Sequence, residues 1–220
     1  MKNNILKVPY AKSTHGEEEI KAVTEVLKTS TQMGKNVSLF EKKVSEMFAK
    51  KFGLMTNSGT SSLMLAGEAL DLPKGSEVIT AAFTFATTVT PILKNNLIPV
   101  FIDSEKDTLN IDASRLEKFI NKRTSALWIP NMLGNVPDWD IIREIADKYN
   151  LVVLEDSADT LGGTLRGKPT GLRSDVSICS FYGSHIINCA GNGGWVGFND
   201  EKIATKARLL RSWGRTSSIF

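Results

Sequence analysis

The sequence predicts an α/β fold, a mostly parallel mixed sheet of about seven strands with helices on both faces. Three observations predict it. Seven short apolar runs are spread along the 220 residues, and stretches of helical apolar spacing lie between them. The last two runs are joined by residues 181–194, too few for a helix and a crossover, so that connection should reverse the chain and leave one antiparallel strand.

The elements follow in order. Residues 17–29 place Ile20, Val23, Val26 and Leu27 at helical spacing, and residues 39–50 do so with Phe40, Val44, Met47 and Phe48. Strands are predicted at 53–56, 77–80, 98–101, 126–129, 151–155, 176–180 and 195–198. Helices are predicted at 61–70, 87–95, 113–120 and 140–149. No repeat or low-complexity tract interrupts the pattern.

Bulk properties exclude several classes. With 41% hydrophobic and 23% charged residues, the chain can build a core and is not disordered. Its net charge of +3 is spread among interleaved acids and bases, which gives no footprint for nucleic acid. No stretch approaches the ~18 apolar residues of a membrane span, and the first ten residues carry no signal-type apolar region. A cytoplasmic protein is expected. Cys179 and Cys189 fit neither a disulfide framework nor a metal-ligand spacing and read as ordinary thiols. The chain's histidines are His15 and His185, and no metal-ligand cluster is evident.

In parallel sheets ligands bind beyond the carboxyl ends of the strands. After the first strand comes Asn57-Ser58-Gly59-Thr60-Ser61 at the start of a helix. Free N–H groups and the positive dipole end suit a phosphate there, and a plain capped turn is the alternative. Phe83 and Phe85 follow the second strand and can stack on a flat heterocycle or pack in the core. The fifth strand ends in Glu155, Asp156 and, three residues on, Asp159. A carboxylate so placed can hold a pyridine nitrogen protonated. The sixth strand ends Ser180-Phe181-Tyr182-Gly183-Ser184-His185, followed by a glycine-rich stretch through Gly194. A histidine there is structural or catalytic on the residues alone.

These pieces resemble, in order and spacing, the fold-type-I, aspartate-aminotransferase-like enzymes, and in particular the DegT/DnrJ/EryC1/StrS family of sugar aminotransferases. The resemblance runs from about Glu17 to Arg215. It rests on Gly34 with Phe40-Glu41, Asn57-Ser58-Gly59-Thr60, Phe83-Thr84-Phe85, Glu155-Asp156-Ser157-Ala158, Ser180-Phe181, Gly193-Gly194 and Trp213-Gly214-Arg215.

The resemblance implies a three-layer α/β/α large domain that binds pyridoxal 5′-phosphate or pyridoxamine 5′-phosphate. It implies an N-terminal helical segment at 1–50, the cofactor-binding domain at 51–220, and a C-terminal small domain of the family absent from this chain. Gly59, Thr60 and Ser180 would hold the phosphate, Phe85 would stack on the ring, Asp156 would pair with the pyridinium nitrogen, and Ser58 and Asp159 would also be cofactor-binding.

One position departs from the aminotransferases. Five residues after Ser180, where they carry the lysine that binds the cofactor covalently, stands His185. Lys168, Lys202 and Lys206 lie at no matching position. Histidine here, with an acidic residue at 159, resembles the branch of NDP-4-keto-6-deoxyhexose 3-dehydratases. The expectation is therefore dehydration at C3 of a nucleotide sugar, with His185, Asp156 and Asp159 catalytic and glutamate as amino donor. A homodimer is expected from the family. A drifted sugar aminotransferase and a catalytically silent cofactor- or sugar-binding protein are the alternatives.

Overall fold

The structure, a computed structural model, describes residues 6–9, 11–12 and 14–215. Two helices open it, α1 (Glu17–Thr29) and α2 (Lys35–Met47). Then follow β1 (Phe52–Thr56), α3 (Gly59–Leu70), β2 (Glu77–Ala81), α4 (Ala86–Lys94), β3 (Ile98–Ile102) and the short α5 (Leu116–Phe119). Next come β4 (Thr124–Pro130), α6 (Trp139–Tyr149), β5 (Val152–Asp156) and a small hairpin of β6 (Thr164–Leu165) and β7 (Lys168–Pro169). The described chain ends with β8 (Val176–Ser180), β9 (Gly194–Phe198) and α7 (Glu201–Arg211).

The seven long strands form one sheet in the order β1-β9-β8-β5-β4-β2-β3. Neighbours from β3 across to β8 are parallel, while β9 is antiparallel to both β8 and β1. The short 181–194 connection thus reverses the chain as the sequence predicts.

Alternation along the strands divides the core in two. Leu54, Trp128, Leu154, Ile178 and Val196 face one layer, where Leu63 and Ala66 of α3, Ile92 of α4 and Ala204 of α7 pack. Leu127, Ile129 and Val153 face the other, against Trp139, Ile142 and Ile145 of α6. On that second side, Val44 and Phe48 cover Cys179, Phe181 and Trp195 at the β8–β9 end, with Phe48 stacked on Trp195 at 5.1 Å. The Cys179 thiol is buried, and burial pushes its pKa up, as expected of a core thiol. Helix α1 buries none of its residues, and Ile20 and Leu27 stand exposed.

The β6–β7 hairpin lies outside the seven predicted strands, and two helices differ from the sequence expectation. Residues 113–120 form a 3-10 turn (Ala113–Arg115) and then the four-residue α5, because Ile120 is already extended on its way to β4. Helix α7 is absent from the prediction, yet Asp200 caps it by accepting from the Ile203 N–H at 2.9 Å, and Ala204 and Ala207 bury its inner face. Among the described residues, no helix is long and apolar enough to cross a membrane.

Candidate active site

The carboxyl edge of the sheet gathers the predicted residues. Strand β8 ends at Ser180, and reversed β9 begins at the same edge, so Gly194 pairs with both Ser180 and Thr56. Over this corner sits the first turn of α3. Ser58 is its N-cap, accepting from the Ser61 N–H at 3.1 Å and donating its hydroxyl to Ser61 Oγ. The helix start packs backbone to backbone. A Cβ on Gly59 would lie 2.7 Å from Ser180 Cβ, and one on Gly194 would lie 2.2 Å from the Ser58 carbonyl oxygen. Remaining first-turn N–H groups and the dipole end would suit an anion, and Thr60 is exposed beside them.

Asp156 closes β5 and is 5% exposed. Its carboxylate accepts from Thr88 Oγ1 at 2.7 Å and from the Ala158 N–H at 3.1 Å. Burial raises its pKa. The two hydrogen bonds oppose that, and the Asp159 and Glu155 charges add to it. A buried carboxylate without a cationic partner among the described residues fits a protonated ring nitrogen. Thr88 belongs to the first turn of α4, whose N-cap is Phe85. Phe85 is 71% exposed, so its ring is not core packing and is open to a flat ligand.

His185 lies beyond β8. Its N–H donates to the Tyr182 carbonyl at 3.0 Å, and its ring meets Tyr182 edge-on at 5.8 Å. Its Nε2 is 3.4 Å from Asp159 Oδ1, while Nδ1 is buried with no hydrogen-bond partner among the described residues. The histidine and the acid predicted from separate segments thus meet.

The three carboxylates around the end of β5 separate. Asp156 faces α4 and Asp159 faces His185, but Glu155 turns to the other side of the sheet, toward Asn131, Ser174 and Ser177. Two participants escape the sequence reading. Thr88 is an ordinary helix-start residue until the fold places it beside Asp156. His15 bonds Asn188 Oδ1 at 2.8 Å and ties the segment before α1 to the glycine-rich loop, a contact across 173 residues that no local pattern signals. The one buried lysine among the described residues, Lys50, is bonded to Gly171 and Ser174 ahead of β8.

A seven-stranded sheet with one reversed strand, a helix start packed on its carboxyl edge and an acid closing the central strand define the large domain of a fold-type-I, aspartate-aminotransferase-like enzyme. The chain belongs to the DegT/DnrJ/EryC1/StrS aminotransferase family, whose model matches residues 13–219. It is 38% identical to the lipopolysaccharide biosynthesis protein RfbH of Salmonella typhimurium, over 94% of this chain and 49% of that protein. It is 36% identical to dTDP-4-dehydro-2,6-dideoxy-D-glucose 3-dehydratase of Saccharopolyspora spinosa, over 90% of this chain and 45% of that one. A solved GDP-4-keto-6-deoxymannose-3-dehydratase with a trapped PLP-glutamate geminal diamine superposes with a TM-score of 0.90 at 30% identity, covering 96% of this chain and 56% of that one. The chain therefore spans about half the length of these relatives.

Proposed function

We propose that this protein works with pyridoxal or pyridoxamine phosphate on a nucleotide-activated sugar, and that its reaction is removal of the C3 hydroxyl from an NDP-4-keto-6-deoxyhexose. The observation that carries this is His185, paired with Asp159, at the position where the aminotransferases hold their cofactor-binding lysine. The 3-dehydratases among the relatives support it.

In this reading Ser58, Gly59, Thr60 and Ser180 hold the phosphate, Phe85 lies against the ring, and Asp156, oriented by Thr88, faces the ring nitrogen. The cofactor supplies an amine for the sugar's C4 ketone and a ring that accepts electrons. His185 takes a proton as general base and returns one to the departing C3 oxygen. Asp159 Oδ1 steadies the ring while it is cationic. Residues 51–220 act as the cofactor-holding domain. Glutamate is the amino donor, a homodimer the assembly and the cytoplasm the setting.

The test is to incubate the purified protein with glutamate, cofactor and a GDP- or dTDP-4-keto-6-deoxyhexose, and to analyse the products by mass spectrometry. A sugar lacking its C3 oxygen, formed together with 2-oxoglutarate, is the expected result. An aminated sugar that keeps this oxygen would overturn dehydration in favour of transamination.

A further inference from the structure

We propose that Lys50 and Glu155 are positioning residues, a buried cation and a buried carboxylate joined through Ser174 that fix the segment carrying Asp156 and Asp159. The catalytic consequence rests on the function proposed above; the positioning itself does not.

Lys50 follows left-handed Ala49 after α2 and is 6% exposed. Its Nζ donates to the Gly171 carbonyl at 2.7 Å, to the Ser174 carbonyl and to Ser174 Oγ at 3.0 Å, which uses all three N–H groups. Ser174 Oγ donates to Glu155 Oε2 at 3.1 Å, beside Ser177 Oγ, which donates to the same oxygen at 3.0 Å. The other oxygen accepts from Asn131 Nδ2 at 3.0 Å and Ser157 Oγ at 2.6 Å. Four donors surround fully buried Glu155, the pattern of a carboxylate rather than of an acid. Burial pulls the Lys50 pKa down to about 8, and the Glu155 charge works against that pull.

From Glu155 the network runs to the site. Asn131 Nδ2 donates to Ser157 Oγ at 2.6 Å, and Asn131 Oδ1 accepts from Trp139 Nε1 at 2.8 Å. The Asn131 N–H holds the Asp156 carbonyl at 2.9 Å, and Thr160 Oγ1 donates to the Asn131 carbonyl at 3.3 Å. Asp156 is thus clamped between Glu155 and Ser157, and Asp159 precedes the anchored Thr160. Well-packed apolar residues would stabilise the fold as well as a buried ion pair does. What the polar network adds is a fixed direction for two carboxylates whose separation depends on it.

The test compares wild type with Lys50→Met, Ser157→Ala and the double variant Lys50→Met/Glu155→Gln. Amide hydrogen exchange in the cofactor-free protein should rise about 10-fold at residues 157–160 in Lys50→Met, with β2 and β4 amides unchanged. With cofactor and sugar nucleotide, kcat should fall about 10-fold at unchanged KM, as misplaced catalytic groups require. Ser157→Ala should move both readouts the same way by less, and it carries the test if Lys50→Met does not fold. The double variant, which turns an amide NH2 toward donors that Glu155 accepts, should lose at least as much kcat as Lys50→Met. A folded Lys50→Met with wild-type exchange at 157–160 and wild-type kcat would overturn the proposal. If the wild type shows no turnover at all, the proposed function fails while the exchange experiment still decides the positioning role.

Discussion

The carboxyl rim of the sheet and the polar belt beneath it use the same residue types under opposite conditions. Glu155 and Asp156 are sequence neighbours, and strand alternation sends their side chains to opposite faces. Below, Glu155 accepts four hydrogen bonds and a buried lysine lies behind one of the donors. At the rim and among the described residues, Asp156 is buried with two donors and no cation, His185 leaves a nitrogen unpartnered, and Phe85 stands exposed. The belt completes its interactions internally, whereas the rim leaves them for something bound. Stability should therefore reside in the belt and activity in the rim.

That division is sharpest in a pair of variants. Lys50→Met removes the cation behind Glu155 and leaves the Gly171 and Ser174 carbonyls without their buried donor, and should cost about 3–5 kcal/mol of stability. Asp159→Asn, at a side chain 43% exposed, should cost no more than about 0.5 kcal/mol. The second change frees the His185 ring and should lower turnover by up to about 100-fold, a share of what a general base contributes. Urea melts and steady-state rates on both variants check this. Comparable stability losses in the two would dissolve the distinction.

Gly59 tests whether the rim is tolerant throughout. Its place is set by close approach, since a Cβ would meet Ser180 Cβ at 2.7 Å and Ser180 Cα at 3.4 Å, atoms that cannot swing aside. Gly59→Ala should cost about 1–3 kcal/mol through overpacking and should also weaken cofactor affinity, because α3 must lift from β8. Equilibrium dialysis with pyridoxamine phosphate and a thermal melt read the two effects. A loss of stability with unchanged affinity would separate the helix start from the phosphate.

Much of this architecture is legible in the sequence. All seven strands of the main sheet follow from apolar runs, and the reversal of β9 follows from the length of the connection before it. At the site, each segment bearing a candidate residue is legible because function collects where strands end. Which of the three carboxylates faces what is not legible. That depends on strand register and on the face each residue takes, as when Glu155 opposite Ser177 joins the belt. Thr88 and Lys50 are invisible for the same reason, since their partners lie 68 residues and more than 120 residues away. Helix α7 escapes because it carries few large apolar residues and packs through Ala204 and Ala207.

The smallest expected effect tests the rim's defining feature, a carboxylate held without a cation. Burial raises the Asp156 pKa above its ordinary value of 3.8, so in the window above that value the folded state keeps a proton that the unfolded chain releases. Where the folded state binds more protons, stability falls as pH rises. Asparagine carries no such proton. Stability of wild type minus that of Asp156→Asn should therefore decline as pH increases from 3.8 toward the folded pKa, and level off above it. The exposed acids whose pKa values are lowered by arginine and lysine partners, such as Asp140 and Asp71, have the opposite slope and cancel in the difference. Denaturant melts of both proteins across pH 4–7, with and without cofactor, give that difference. A protonated ring nitrogen against Asp156 would supply the missing cation, so the slope should shrink in the loaded protein. A slope that persists on loading would mean that the cofactor's nitrogen is not at Asp156. A flat difference in the unloaded protein would mean that the rim, like the belt, already satisfies its own charge.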